Sequence, residues 1–127
     1  MVEMRNSGET LPSREEMLAR IEQQRPDMGA KLRRLVEKEG FLRAGNVYGE
    51  PYSDRQIQVC MDGLFRTEYL RAQILEQVRE QDRSVKQIAE SLGRTPGEIL
   101  REVVELRRQN LVRMAQIEER TPYYRAL

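Results

Sequence analysis

The stretch that decides the fold runs from Ser84 to Leu127: SVKQIAESLGRTPGEILREVVELRRQNLVRMAQIEERTPYYRAL. Ser84 is placed to cap a short helix, with Gln87 positioned to complete a capping box, in which a side chain and a backbone N–H satisfy each other at the helix start. Ile88, Ala89 and Leu92 share one face of that helix, and Gly93 ends it. Thr95 opens a second helix. Pro96 takes its first position, where a missing N–H is harmless, and Glu98 is spaced to close another box. Two helices separated so briefly around a glycine must cross steeply and touch, which suits a residue as small as Ala89 at the contact. The second helix buries Ile99, Val103 and Leu106 and stops at Asn110, a residue that tolerates left-handed backbone. Leu111 to Ile117 then reads as a strand, Glu118 to Pro122 as a turn, and Tyr123 to Leu127 as a returning strand. The inward parity of the first strand stays open, because Leu111, Val112, Met114, Ala115 and Ile117 are all apolar.

Upstream, Leu70, Ile74 and Val78 recur every fourth residue in an amphipathic helix whose polar side carries Arg71, Glu76, Arg79 and Glu80, a solvated face. Before it, Ser53 with Gln56 marks a cap, and Ile57, Cys60, Met61 and Leu64 follow on one helical face, where Cys60 reads as filler of a small apolar gap. Gly63 is a point at which this helix would bend or end. Residues 40–52 (GFLRAGNVYGEPY) form a connector whose Phe41, Tyr48 and Tyr52 point to packing. Ser13 with Glu16 starts an earlier helix bearing Met17, Leu18 and Ile21, which Pro26 interrupts. A further helix is predicted from Asp27 to Glu39, its stripe formed by Met28, Leu32, Leu35 and Val36, with Gly40 as the stop. Residues 1–12 read as an arm. The stripes on these early helices are too small for a separate core and should cover another surface: the body of the chain, a second copy or a different subunit.

The chain has 127 residues, with 22 Lys and Arg against 21 Asp and Glu. Near-zero net charge excludes a polybasic protein and an acidic tail. No apolar run approaches the ~20 residues that cross a bilayer, and the first residues lack the features of a signal peptide, so a cytoplasmic location away from membranes is expected. There is one cysteine and no histidine. Internal disulfides, cysteine-based metal sites, His-ligated zinc and Ser-His-Asp or Cys-His catalysis are thereby excluded, and no cofactor is expected. The pairs Glu15-Glu16 and Glu118-Glu119 are sequence neighbours that point apart, which makes poor acid–base dyads. A non-enzyme is the expectation. Tyr123 and Tyr124 read as strand residues, one packed and one exposed.

The order helix, helix, glycine turn, helix and hairpin resembles the winged helix-turn-helix domain in the style of the ArsR and MarR regulators. The resemblance covers roughly residues 65–127 and rests on Ile88, Ala89, Leu92, Gly93, Ile99, Val103, Leu106 and Asn110-Leu111-Val112. The expected architecture is mostly α with a small β hairpin: an arm over 1–12, a helical extension over 13–64 and the winged domain over 65–127. The resemblance implies a DNA-binding transcriptional regulator, with the helix from Thr95 to Gln109 in the major groove of double-stranded DNA and the hairpin on the backbone or minor groove. Arg94, Thr95, Arg101, Arg108, Arg113 and Arg120 would then hold phosphates, with Arg101 best placed for a base. Regulators of this kind are similar in adding helices that pair two subunits, so a homodimer, or a place in a larger complex, is expected.

The charge pattern keeps a second reading open. Residues 84–127 hold eight Lys or Arg and six Glu, and Glu98, Glu102 and Glu105 offset Arg101, Arg107 and Arg108. Leu100 and Val104 turn outward as an apolar pair where a DNA reader usually places hydrogen-bonding groups. In this alternative the domain docks on a protein partner through Leu100 and Val104, rimmed by Glu98, Glu102 and Arg108, and binds no DNA.

Overall fold

In the computed structural model, which describes residues 12–39 and 54–127, three helices start where the capping side chains of Ser13, Ser84 and Thr95 sit. In chain order the elements are α1 (Arg14–Gln24), α2 (Pro26–Glu37), α3 (Asp54–Glu80), β1 (Arg83–Ser84), α4 (Val85–Leu92), α5 (Pro96–Arg108), β2 (Val112–Glu118) and β3 (Thr121–Ala126). The arm up to residue 11 and the 40–52 connector, with Phe41, Tyr48, Tyr52 and the cap at Ser53, lie outside the described residues. Among the described residues, only the Ser84–Gln87 box is reciprocal. At Ser13 and Thr95 the hydroxyl accepts the expected backbone N–H, but the carboxylates of Glu16 and Glu98 take the hydroxyl proton of the cap instead of its backbone N–H. The chain forms two compact units that divide within α3, between Tyr69 and Leu70. No helix among the described residues is long and apolar enough to cross a membrane.

In the first unit, Arg25 alone separates α1 from α2, and Pro26 takes the first position of α2. Met17, Leu18, Ile21, Leu32, Ile57, Met61 and Phe65 are buried. A Cβ at Gly29 would collide with Glu22, so glycine is what lets α2 approach α1. Three expectations fail here. Leu35 is exposed, because the covered line of α2 runs through Leu32 and leaves position 35 to solvent. Cys60 is exposed as well: the buried residues Ile57, Met61 and Phe65 recur every fourth position, which puts Cys60 on their flank. Gly63 does not end α3, whose 27 residues absorb the penalty of about 1 kcal/mol for one interior glycine. The unit is also laced by ions. Arg25 and Glu68 form a buried pair at 2.8 Å, and Arg14 reaches Glu39 at 2.6 Å and Asp62 at 3.4 Å while lying over the Phe65 ring.

The second unit has one apolar core. Leu70, Ile74, Leu75 and Val78 come from α3, Ile88 and Ala89 from α4, Ile99, Val103 and Leu106 from α5, and Val112 and Tyr124 from the sheet. Gly93 ends α4 with φ 66°, the left-handed backbone that glycine adopts without steric conflict. Its N–H and that of Arg94 both reach the Ala89 carbonyl. Asn110 makes the corresponding stop after α5 with φ 61°. The sheet has three antiparallel strands in the order β1-β3-β2. Strand β1 is an addition to the expected hairpin: Arg83 and Ser84 pair with Tyr124 and Tyr123, a segment too short to leave an alternating pattern. The turn is also tighter than expected. Strands extend to Glu118 and from Thr121, leaving only Glu119 and Arg120, at φ 48° and 68°. The β2–β3 register shifts between Met114 and Gln116, so no single inward parity runs through β2. A helix, a short strand, two helices across a glycine turn and a hairpin that closes a three-stranded sheet make this unit a winged helix-turn-helix.

Candidate nucleic-acid interface

The rotation of α5 is fixed by Ile99, Val103 and Leu106, whose burial is complete. At about 100° per residue, the side away from that stripe carries Gly97, Leu100, Arg101, Val104 and Arg108. Leu100 is 48% and Val104 47% exposed, and Arg101 and Arg108 lie open beside them. Among the described residues, Arg101 and Arg107 have no ion-pair partner.

The glutamates of α5 occupy the other flank and are engaged by their own chain. Glu102 accepts from Arg71 Nε at 2.9 Å, with only 13% of its side chain exposed. Glu98 accepts from Arg94 at 3.1 Å and from the Thr95 hydroxyl. Glu105 accepts from Gln109 at 3.1 Å and lies 3.7 Å from Arg108. Spacings of four and three residues put all three carboxylates on one side of the helix. Two expectations are thereby corrected: Arg71 is not on a solvated face, and Glu102 is not an exposed rim residue. The Glu105–Arg108 pair is long and open to solvent, a geometry of little energetic weight.

The other predicted positions fall at the ends of this face. Arg94 sits half-buried in the turn before α5, and Thr95 is its exposed cap. Arg113 is exposed on β2 opposite Arg125, which in turn reaches Asp82 at 3.3 Å. Arg120 is exposed in the tight turn of the hairpin. Tyr124 is buried in the core and Tyr123 is half-buried in the sheet, so neither presents an open ring.

Leu100 also lines a shallow groove of about 290 Å³ with Val85, Lys86, Pro96, Gly97, Pro122 and their neighbours. Lys86 is exposed and has no ion pair among the described residues, yet it was not among the expected contacts. The signal for it was present. The Ser84–Gln87 box puts Lys86 in the first turn of α4, and the brief turn at Gly93 brings that helix beside α5.

No protein-family model matches the chain, and no curated protein matches it in sequence. Among solved structures, the chain is similar to the homodimeric winged helix-turn-helix DNA-binding domain of a possible ArsR-family transcriptional regulator from Mycobacterium bovis. Identity there is 26% over 59% of this chain and 72% of that one, with a TM-score of 0.42. It is also similar to NolR from Sinorhizobium fredii, at 22% identity over 61% of this chain and 80% of that one, with a TM-score of 0.43.

Proposed function

We propose that this chain is a non-enzymatic winged-helix transcriptional regulator that binds double-stranded DNA, with α5 in the major groove and the β2–β3 hairpin on the backbone. One observation carries the reading: the three glutamates of α5 are held on one flank by partners from their own chain, while Arg101 stands exposed on the outward face with no ion-pair partner among the described residues. DNA affinity comes largely from neutralised phosphates, so the field of the facing surface matters more than the charge count of the domain. Arg101 is the residue for a base edge, where a guanidinium can pair bidentately with guanine. Arg108, Arg113, Arg120 and Lys86 suit phosphates, as do Thr95 and, less strongly because Glu98 already holds it, Arg94. The protein-docking alternative uses the same exposed Leu100 and Val104, but its polar rim loses Glu102, which is tied to Arg71.

The test is a fluorescence anisotropy titration of a labelled random-sequence duplex pool with the full chain across salt concentrations. Binding at low salt is expected, weakening with a log–log slope of about −3 to −4.5, as three to five neutralised phosphates would give. Arg101→Glu should weaken it by placing an anion on the facing surface, while the phosphate-holding cations keep residual binding at low salt. Absence of binding at low salt would remove the reading.

A further inference from the structure

We infer that Leu100 and Val104 read thymine: their side chains pack on the C5-methyl groups of thymines beside the base contacted by Arg101, so the preferred sites carry thymines at those positions. This inference rests on the DNA reading above and specifies what that face selects.

The occupant follows from the surroundings of the pair. Leu100 and Val104 lie about half exposed on a face whose charged members, Arg101 and Arg108, are cationic, with Arg107 flanking them. The groove beside Leu100 is walled by Pro96 and Pro122 and carries Lys86. A surface of this kind complements a polyanion that offers an apolar group between hydrogen-bonding edges, and in the major groove that group is the thymine methyl. Four residues along a helix span about 6 Å. Successive bases on a strand lie about 3.4 Å apart, so the two side chains reach methyls one or two steps from each other.

Gly97 adds an independent observation on the same face. A Cβ there would meet nothing within 4 Å among the described residues, and its φ is not left-handed. Neither packing nor backbone geometry therefore calls for glycine near the start of α5, where it only weakens the helix. What glycine does provide is a lowered surface next to Leu100, so that a base edge can come closer to the helix.

The experiment uses the full chain and one duplex selected by it from a random pool, prepared in two forms: with thymine, and with every thymine replaced by uracil. Uracil keeps every hydrogen-bonding group and removes only the methyl. The wild-type chain should bind the uracil duplex about fourfold more weakly for each contacted methyl. The Leu100→Ala, Val104→Ala double variant should bind both duplexes equally, with unchanged circular dichroism. Equal wild-type affinity for the two duplexes, or a methyl preference that survives in the double variant, would overturn the inference while leaving DNA binding standing. If the wild-type chain retains no duplex from the pool at low salt, the DNA reading fails and this inference with it. A serine pair at these positions that leaves duplex affinity intact but releases a bound protein would assign the face to a protein and overturn the inference.

Discussion

On one flank of α5, Glu98, Glu102 and Glu105 each meet a donor from their own chain. Around the outward side, Arg101 and Arg107 have no ion-pair partner among the described residues, and Leu100 and Val104 lie about half exposed. Counted along the sequence, these charges cancel, and the helix looks unsuited to a polyanion. Placed in space they separate, because the acids are engaged by their own chain while the outward arginine has no ion-pair partner among the described residues. The field a ligand meets is set by where the countercharges sit, and a net charge cannot report that.

The contrast is broken most severely from inside the helix. Ile99→Ala should destabilise the fold by about 2–5 kcal/mol in a denaturant melt, since a fully buried side chain leaves a cavity. Leu100→Ala, one position on, should stay within about 0.5 kcal/mol. A comparable loss from Leu100→Ala would mean that the outward face is misassigned. For binding, Arg101→Ala should weaken affinity for a preferred site by about 1–3 kcal/mol relative to scrambled sequence, whereas Arg120→Ala should lower affinity for all duplexes alike. Competition titrations with the two duplex types separate those outcomes.

The flanks also differ in what their acids do. Glu102→Ala removes a charge-assisted hydrogen bond between two mostly covered side chains and should lower stability by about 1–2 kcal/mol. Glu118→Ala, exposed on the hairpin, should change the melt by less than about 0.5 kcal/mol. Equal effects would erase the distinction drawn between committed and open acids. At the hairpin tip, Arg120 holds φ 68°, where a non-glycine residue is strained. Arg120→Gly should therefore gain about 1 kcal/mol in thermal stability while losing phosphate affinity, a trade readable from paired melts and titrations.

The smallest effect concerns the first unit. A hydrogen bond from Arg33 holds the Glu22 carboxyl below its ordinary pKa. A depressed acid contributes stability above its unfolded pKa and loses it as pH falls through the folded one. Acidification below the usual glutamate range should thus loosen the α1–α2 contact slightly, visible as a shift of the Arg33 Nε–H signal, without changing the α5 face.

Much of this fold was legible because it is local. The Ser84 and Thr95 caps, Gly93, Asn110 and the Ile99, Val103, Leu106 stripe are all set by residues within a turn or two of each other, and each stands where the sequence places it. Leu100 and Val104 were legible for the same reason, as the remainder of a known stripe. What escaped was non-local. The Arg71–Glu102 pair joins residues 31 apart in sequence, and nothing in a charge pattern chooses that partner over water. Strand β1 exists only because β3 lies alongside it. Cys60 was misplaced because two helical lines, one through Cys60 and Leu64 and the other through Met61 and Phe65, are equally apolar in sequence, and only packing selects the second.

The most direct test of the separation on α5 is residue-resolved. An amide chemical-shift titration of the isotope-labelled full chain with a selected duplex reports each position of the helix independently. The largest perturbations are expected at Gly97, Leu100, Arg101, Val104 and Arg108, and in the hairpin near Arg120, with Glu102 and its neighbours on the committed flank little changed. Perturbations centred on Glu98, Glu102 and Glu105, or none anywhere on α5, would contradict the assignment of its outward side to DNA.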